Sequence, residues 1–264
     1  MTAQRYIDTH THLDDEQFAA DIDIVLREAS ANGVCAMVNI GYSPTRWRTT
    51  LALADGHPQI FYTLGLHPGN AGEWSEDLFT ELTEIVARTS PVAIGEIGLD
   101  YYWNSDNMAI QRASFERQLE LAHGRNLPVV IHQRIAAADV AAILRDVPSN
   151  LRVILHSFDG DEALFDLAEE RGWTVGVGGL MTRRQAESLR ARLRSFPFSQ
   201  VVLETDSPYL TPSGVKARRN TPSMIPLIAE RLASLINCPV DQIATITTQN
   251  AERIFGLNVT ARKP

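Results

Sequence analysis

The sequence predicts an α/β fold, a single (β/α)8 TIM barrel, and three observations carry the prediction. Eight short apolar runs alternate along the chain with segments of helical spacing. The runs are continuous in Val, Ile and Leu rather than alternating with polar residues, the composition of strands covered on both faces in a parallel sheet. The length of 264 residues, 44% of them apolar, matches the ~250 residues of one closed barrel better than it matches two average domains. In order, the predicted strands cover residues 5–9, 34–40, 60–66, 92–97, 128–131, 151–155, 174–177 and 201–205. Helical spacing marks residues 18–31, 47–54, 77–87, 110–123, 136–144, 162–170 and 183–193 between them, and 222–235 after the last strand. A final helix is expected to include residues 248–255 and to stop at Gly256, which takes up the left-handed cap conformation readily. Residues 258–264 read as a loose polar tail, so the expected organisation is one barrel domain over residues 1–264.

Composition narrows the function classes. A formal net charge of −8 and a pI near 5.4 argue against a protein held on nucleic acid or an anionic membrane by its overall field. Any phosphate contact must therefore be local. The two cysteines, Cys35 and Cys238, lie far apart and outside any Cys-x-x-Cys spacing, which indicates neither a disulfide framework nor a thiolate zinc site. No basic-then-apolar leader is apparent, and no apolar run approaches the ~18 residues of a spanning helix. The expectation is a soluble cytoplasmic protein with no membrane association and no obligate protein partner.

The chemistry is concentrated at the strand ends. Four of the seven histidines terminate apolar runs: His12, two residues beyond His10, then His67, His132 and His156 at the ends of three others bring nitrogen donors to one rim. Glu96 and Asp206 occupy the same position on the fourth and eighth runs. Active sites of such barrels form where strands end and βα loops begin. Residues two apart on a strand face the same way, so His10 and His12 can reach one ion together. Six donors, His10, His12, Glu96, His132, His156 and Asp206, exceed the needs of a single three-ligand catalytic ion. They suggest two divalent ions roughly 3.5–4 Å apart, with His10, His12 and Asp206 on one, His132 and His156 on the other, and Glu96 as the bridge. Imidazole mixed with carboxylate admits Zn, Mn, Co, Fe or Ni, and Mg less readily because it prefers an all-oxygen shell.

Several longer motifs share these positions: Asp8-Thr9-His10-Thr11-His12-Leu13-Asp14, Gly65-Leu66-His67-Pro68, Gly95-Glu96-Ile97-Gly98-Leu99-Asp100-Tyr101-Tyr102, Ile131-His132-Gln133-Arg134, Glu204-Thr205-Asp206-Ser207-Pro208-Tyr209-Leu210 and Arg219-Asn220-Thr221-Pro222. In this order, and through the late Asn250-Ala251-Glu252-Arg253-Ile254-Phe255, the chain closely resembles the TatD family of metal-dependent deoxyribonucleases within the amidohydrolase-like barrels. The resemblance implies hydrolysis, with DNA as the expected substrate, and carries over the same six ligands. Two places depart from the family wording. Ile135 stands where many relatives have Asp, and His156-Ser157-Phe158-Asp159-Gly160 replaces the common His-Cys-Phe-Ser/Thr-Gly, so Asp159 adds negative charge beside a site expected to receive phosphate.

The remaining expectations concern substrate and mechanism. Arg134 and the cluster Lys216-Ala217-Arg218-Arg219-Asn220 follow strands five and eight and could grip phosphate oxygens, with Arg134, Arg219 and Asn220 as the substrate-binding set. Tyr101, Tyr102 and Trp103 could stack on a base or simply pack at the rim. Asp100 could orient a ligand histidine or simply open a turn; His67 could contact substrate or an extra ion, or stabilise its turn before Pro68. Arg183, Arg184, Arg190, Arg192 and Arg194 read as a charged helix exterior. Asp206 and Glu96 are the catalytic pair: Asp206 takes the proton of the attacking water and Glu96 is mainly a bridge. The competing reading is a hydrolase of esters, lactones or amides, including aminoacyl-tRNA deacylation; many such barrels bridge their metals with a modified lysine, which the fourth strand lacks. A non-catalytic nucleic-acid or metal-binding protein is the alternative from another class.

Overall fold

The computed structural model describes residues 4–103 and 105–259. Eight strands form one sheet in sequence order, each parallel to the next: β1 (Tyr6–Thr11), β2 (Val34–Gly41), β3 (Ile60–Leu64), β4 (Ala93–Asp100), β5 (Val129–Arg134), β6 (Val153–Leu155), β7 (Thr174–Val177) and β8 (Val201–Leu203). The segment after β8 returns to β1: the Asp206 amide donates to the His10 carbonyl at 2.9 Å and the His12 amide to the Ser207 carbonyl at 2.8 Å. The (β/α)8 expectation is borne out.

Side-chain alternation explains both the core and the site. Val129, Ile131, Val153, Leu155, Val201 and Leu203 join the cluster packed against the helices. Their neighbours Val130, Ile154 and Val202 join a second cluster with Ile7, Ala36, Val38 and Ala93, which fills the barrel interior. Because the strand period is two, the residues two further on, His132, His156 and Glu204, continue the interior row toward the C-terminal mouth. Glu96 sits where the β4–β5 register slips between Gly95 and Ile97. That slip lets β4 run on to Asp100, three residues past its expected end.

The surrounding helices are α1 (Ile22–Ala31), α2 (Pro44–Gly56), α3 (Glu76–Thr89), α4 (Met108–Gly124), α5 (Ala137–Arg145), α6 (Glu162–Arg171), α7 (Glu187–Leu193), α8 (Ile225–Ile236) and α9 (Val240–Phe255). Helix α2 starts three residues earlier than its apolar spacing indicates, because Ser43 caps the Arg46 amide at 3.4 Å and Pro44 suits the first turn. Short 3-10 turns at Glu16–Phe18 and Gly179–Thr182 take the place of the expected helical starts at 18 and 183. Helix α9 is twice its expected length. Its polar, β-branched first half hid it, yet Thr245 and Thr247 bond back to the carbonyls of Asp241 and Ile243, each at 2.8 Å. Ala251, Ile254 and Phe255 close the interior cluster, and Asn250 donates to the Val201 carbonyl at 2.8 Å, so α9 plugs the barrel end opposite the site. Gly256 ends α9 in the left-handed conformation, as expected. Of the expected loose tail, residues 260–264 lie outside the described residues.

Gly98 is required by its position. Its φ is +140°, and a Cβ there would stand 2.0 Å from the His132 carbonyl oxygen, a backbone atom that cannot yield. Gly98→Ala is expected to lower stability by about 3 kcal/mol or more, combining backbone strain with overpacking. An unchanged urea midpoint would contradict this reading.

Candidate metal centre

The six donors predicted from sequence converge at the C-terminal mouth of the barrel. On β1, His10 and, one residue beyond, His12 direct Nε2 atoms toward Asp206 Oδ1, at 3.7 and 3.2 Å. Asp206 holds its place with a positive φ of 58°, a conformation Asp tolerates better than most residues. Glu96 is central. Its carboxylate lies 3.4 Å from His10 Nε2, 2.9 Å from His132 Nδ1, 3.5 Å from His156 Nε2 and 3.9 Å from His67 Nε2. The donor atoms fall into overlapping groups, His10 with His12 and Asp206, His10 with Glu96 and His156, and His67 with Glu96 and His132, each within 4.8 Å. The first group matches the division expected from sequence. His156 departs from it: its ring stacks on His10 with centroids 3.4 Å apart, and its donor groups with His10 and Glu96 rather than with His132.

Charge explains the arrangement. Burial opposes ionisation of Glu96, but His156 and His10 outweigh it and hold the carboxyl well below its usual range. Asp206 is likewise lowered against its burial by the hydrogen bond from His12 and the charges of His156 and His10. Burial works against charge on His132, yet Asp100 and Glu96 raise it to about 9; burial works against charge on His156, yet Glu204 and Glu96 raise it to about 10. His10 and His67 go the other way. Burial and the neighbouring His156 lower His10, while burial and His132 push His67 down to about 3.

The site fits a cation. Both ring nitrogens of His10 and Nδ1 of His12 are buried without a hydrogen-bond partner, as is Glu204 Oε2. Buried polar atoms are normally satisfied, so His10 Nε2, set 3.4 Å from the Glu96 carboxylate and 3.7 Å from that of Asp206, marks a place that a positive ion would complete. The outer partners are in place as well. Asp100 Oδ2 lies 3.0 Å from His132 Nε2, in the orienting position weighed for it from sequence. Glu204 Oε1 lies 3.3 Å from His156 Nδ1 and accepts the Ser157 amide at 2.6 Å. Sequence reasoning missed Glu204. The signal was available, since an acid two residues past the interior Val202 and two before Asp206 must face inward.

The expected substrate-binding residues are differently placed. Arg134 is exposed at the end of β5, its guanidinium 3.9 Å over the Tyr102 ring and 5.3 Å from that of Trp103. Arg219, by contrast, forks onto Asp21 at 2.7 and 2.6 Å, donates to the Gln17 carbonyl and lies over Phe18. Its donors thus strap the loop after β8 to the start of α1, an engagement that the phosphate grip expected for it would have to break. Asn220 is fully buried and donates to the Thr205 carbonyl at 2.8 Å, one residue before Asp206, so it braces the loop that carries Asp206. Lys216 and Arg218 remain exposed. Of the departures from the family wording, Ile135 is exposed with a positive φ of 55°, and Asp159 accepts Gln133 Nε2 at 2.6 Å and the Asp161 amide at 3.0 Å. The Asp159 charge is therefore tied into the loop beside β5. Arg190, Arg192 and Arg194 pair with Glu187, Glu162 and Asp166 on the outside, as their spacing indicates.

Comparison with known proteins follows this geometry. The sequence model of the family described as TatD related DNase matches residues 7–256. The chain is 33% identical over 252 residues to a Bacillus subtilis (strain 168) protein named uncharacterized metal-dependent hydrolase YabD, covering 95% of this chain and 99% of that one. It is 34% identical over 258 residues to a protein of Edwardsiella piscicida named 3'-5' ssDNA/RNA exonuclease TatD, covering 95% and 99%. Among solved structures, the TatD homologue YJJV of Escherichia coli K12 superposes with a TM-score of 0.90 at 29% identity, covering 97% of this chain and 100% of that one.

If Asp100 and Glu204 orient His132 and His156, then Asp100→Asn and Glu204→Gln should each weaken Zn or Mn binding about 10–100-fold while leaving circular dichroism unchanged. Calorimetric titration measures this. Undiminished affinity in both variants would detach these carboxylates from the metal centre.

Proposed function

The chain belongs to the TatD related DNase family and is a metal-dependent hydrolase; from that premise we propose that it is a deoxyribonuclease, hydrolysing phosphodiester bonds of single-stranded DNA or from strand ends with two divalent ions per chain. The observation that carries the reading is the buried donor cluster centred on Glu96, set beside an exposed aromatic and cationic rim. Relatives named as single-strand DNA and RNA exonucleases support the substrate class. His10, His12 and Asp206 would hold one ion and His132 and His156 the other, with Glu96 between them. When bound, such ions supply Lewis acidity toward the phosphoryl oxygens and make water nucleophilic near neutral pH. The identity of the ions follows the donor set, with Zn, Mn, Co, Fe and Ni favoured over Mg.

The chain's own groups do the rest. Asp206, ionised and at the mouth, accepts the proton of the attacking water on its carboxylate. Glu96 keeps the two donor groups in register. Asp100 and Glu204 hold the imidazoles of His132 and His156 in place. Arg134 meets the phosphate backbone, and Tyr102 and Trp103, 51% and 68% exposed, offer faces to unstacked bases. Arg219 would reach phosphate only by giving up its fork with Asp21. No helix among the described residues is long and apolar enough to cross a membrane, and the thiols of Cys35 and Cys238 are free, which suits a cytoplasmic setting.

The test compares wild type with Asp206→Asn on labelled single-stranded DNA, an aminoacyl-tRNA and a panel of simple esters. Wild type should bind about two ions and degrade DNA, and the variant should lose about 10²–10⁴-fold in rate with ions still bound. Activity within about threefold of wild type in a metal-replete variant would reject Asp206 as the base. Wild type that cleaves only aminoacyl-tRNA or an ester would reject the nuclease reading.

A second outcome follows from the rim. Trp103→Ala should weaken single-stranded DNA binding about 5–100-fold, the equivalent of one lost base stack, and leave turnover of a small phosphodiester within about twofold. Equal losses on both substrates would place Trp103 in the reaction rather than in binding.

A further inference from the structure

His67 sits three residues beyond β3, with its Nε2 among the donors around Glu96, and by proximity alone it would be a third ligand beside Glu96 and His132. Its other nitrogen decides otherwise. The main-chain amide of Gly69 points at His67 Nδ1 from 2.9 Å. An amide N–H can only donate, so Nδ1 presents its lone pair, and a neutral imidazole then carries its one hydrogen on Nε2. A ring nitrogen bearing hydrogen has no lone pair for a cation. To free Nε2, the proton would have to move to Nδ1, where it would face the Gly69 N–H.

The other histidines differ in this respect. His132 and His156 each present one nitrogen to Glu96 and the other to a carboxylate, Asp100 or Glu204. A carboxylate accepts the hydrogen on the outer nitrogen and leaves the inner lone pair to a metal. A backbone N–H at the same position does the reverse. The outer partner therefore separates His67, as a hydrogen-bond donor, from His132 and His156, whose inner lone pairs are free for a metal. The Nε2 of His67 lies 3.9 Å from Glu96 Oε1, beyond hydrogen-bond reach, and its ring packs edge-to-face on His132 at 4.4 Å. The His67 side chain is 21% exposed, so the ring lies at the opening of the site rather than sealed within it.

We propose that His67 is a substrate-contacting residue whose Nε2–H donates to a non-bridging phosphoryl oxygen of the bound phosphodiester, and that it is not a metal ligand. The inference rests on the phosphodiester reading above for the identity of its acceptor, and on Gly69 alone for the tautomer. No proton is transferred. The hydrogen bond strengthens as negative charge accumulates on that oxygen in the transition state.

Three measurements on the full chain test this. Nitrogen-15 NMR of the metal-free protein should show His67 with hydrogen on Nε2 and none on Nδ1. Titration of Mn into wild type and His67→Ala, without substrate, should give Kd values within about twofold, whereas a loss of about tenfold or more would make His67 a ligand and overturn the proposal. With Mn bound, His67→Ala should bind inorganic phosphate about tenfold more weakly and lose about 10²-fold in kcat on a small phosphodiester, with partial recovery in His67→Gln, whose amide retains a donor. Wild-type hydrolysis left intact in His67→Ala would overturn the phosphoryl contact while the nuclease reading stood. A wild type that neither binds phosphate nor cleaves a phosphodiester would remove the reading and the contact together. Circular dichroism and thermal melting of each variant keep a folding defect separate from these outcomes.

Discussion

One carboxylate, kept ionised inside a hydrophobic barrel, governs the rest of this site. Glu96 is only 4% exposed, and burial alone would protonate it. Imidazoles of His10, His67, His132 and His156 converge on it from four other strands or strand ends. Two of those rings then need partners of their own, which Asp100 and Glu204 supply. These carboxylates end on main-chain donors in turn: Asp100 accepts the amides of Tyr102 and Trp103 at 3.0 and 3.1 Å, and Glu204 that of Ser157. The sequence carboxylate, imidazole, carboxylate, amide runs outward from the centre until the charge is spent on the backbone. A half-satisfied network of this kind is destabilising, and the orphaned Nε2 of His10, between Glu96 and Asp206, marks where this one would be completed by a cation.

The closing seam of the barrel sets the other half of the centre. Asp206 can meet His10 and His12 only because its own amide bonds the His10 carbonyl while Ser207 receives the His12 amide. Behind that seam the buried Asp8 accepts the Thr205 amide and hydroxyl at 3.0 and 2.6 Å, and Asn220 holds the Thr205 carbonyl. Arg219, adjacent to Asn220, is fixed to Asp21. The stretch after β8 is thus a strap pinned at both edges. Its basic residues serve the position of Asp206 before they serve any ligand.

What the sequence disclosed follows from where each residue's role is local. The six donors were legible because strand periodicity and a common strand end are local properties, as is the continuity of the apolar runs that gave the barrel. Helix α9 was half hidden because Thr245 and Thr247 satisfy themselves on the preceding turn and mimic a polar loop in one dimension. The pairing of Arg219 was not legible because the fold brings Asp21 to it from 198 residues away, a contact that no local pattern shows. His67 stayed open between a substrate or ion contact and a turn because His-Pro alone does not separate them, and the structure shows the turn. That same turn supplies the Gly69 amide which fixes the ring.

Asp100 links the candidate metal centre to the rim, and under the nuclease reading this bears on how an acidic chain could select a polyanion. Its Oδ2 lies 3.0 Å from His132 Nε2 while its Oδ1 holds the amides of Tyr102 and Trp103, so the aromatic loop and the His132 imidazole share one carboxylate. Arg134, two residues beyond His132 on β5, lies over the same rings. A shift of the loop would therefore disturb the imidazole, and a shift of the imidazole would disturb the loop. With a net charge of −8, the molecule has no general field to draw a polyanion in. Selection must come from contacts made at the mouth: stacking, which only an unpaired base permits, together with the exposed guanidinium of Arg134 beside the rings. Under the nuclease reading, preference for single strands is then a consequence of the charge balance, because a duplex would offer backbone phosphates to a largely acidic surface and withhold the bases from the rim.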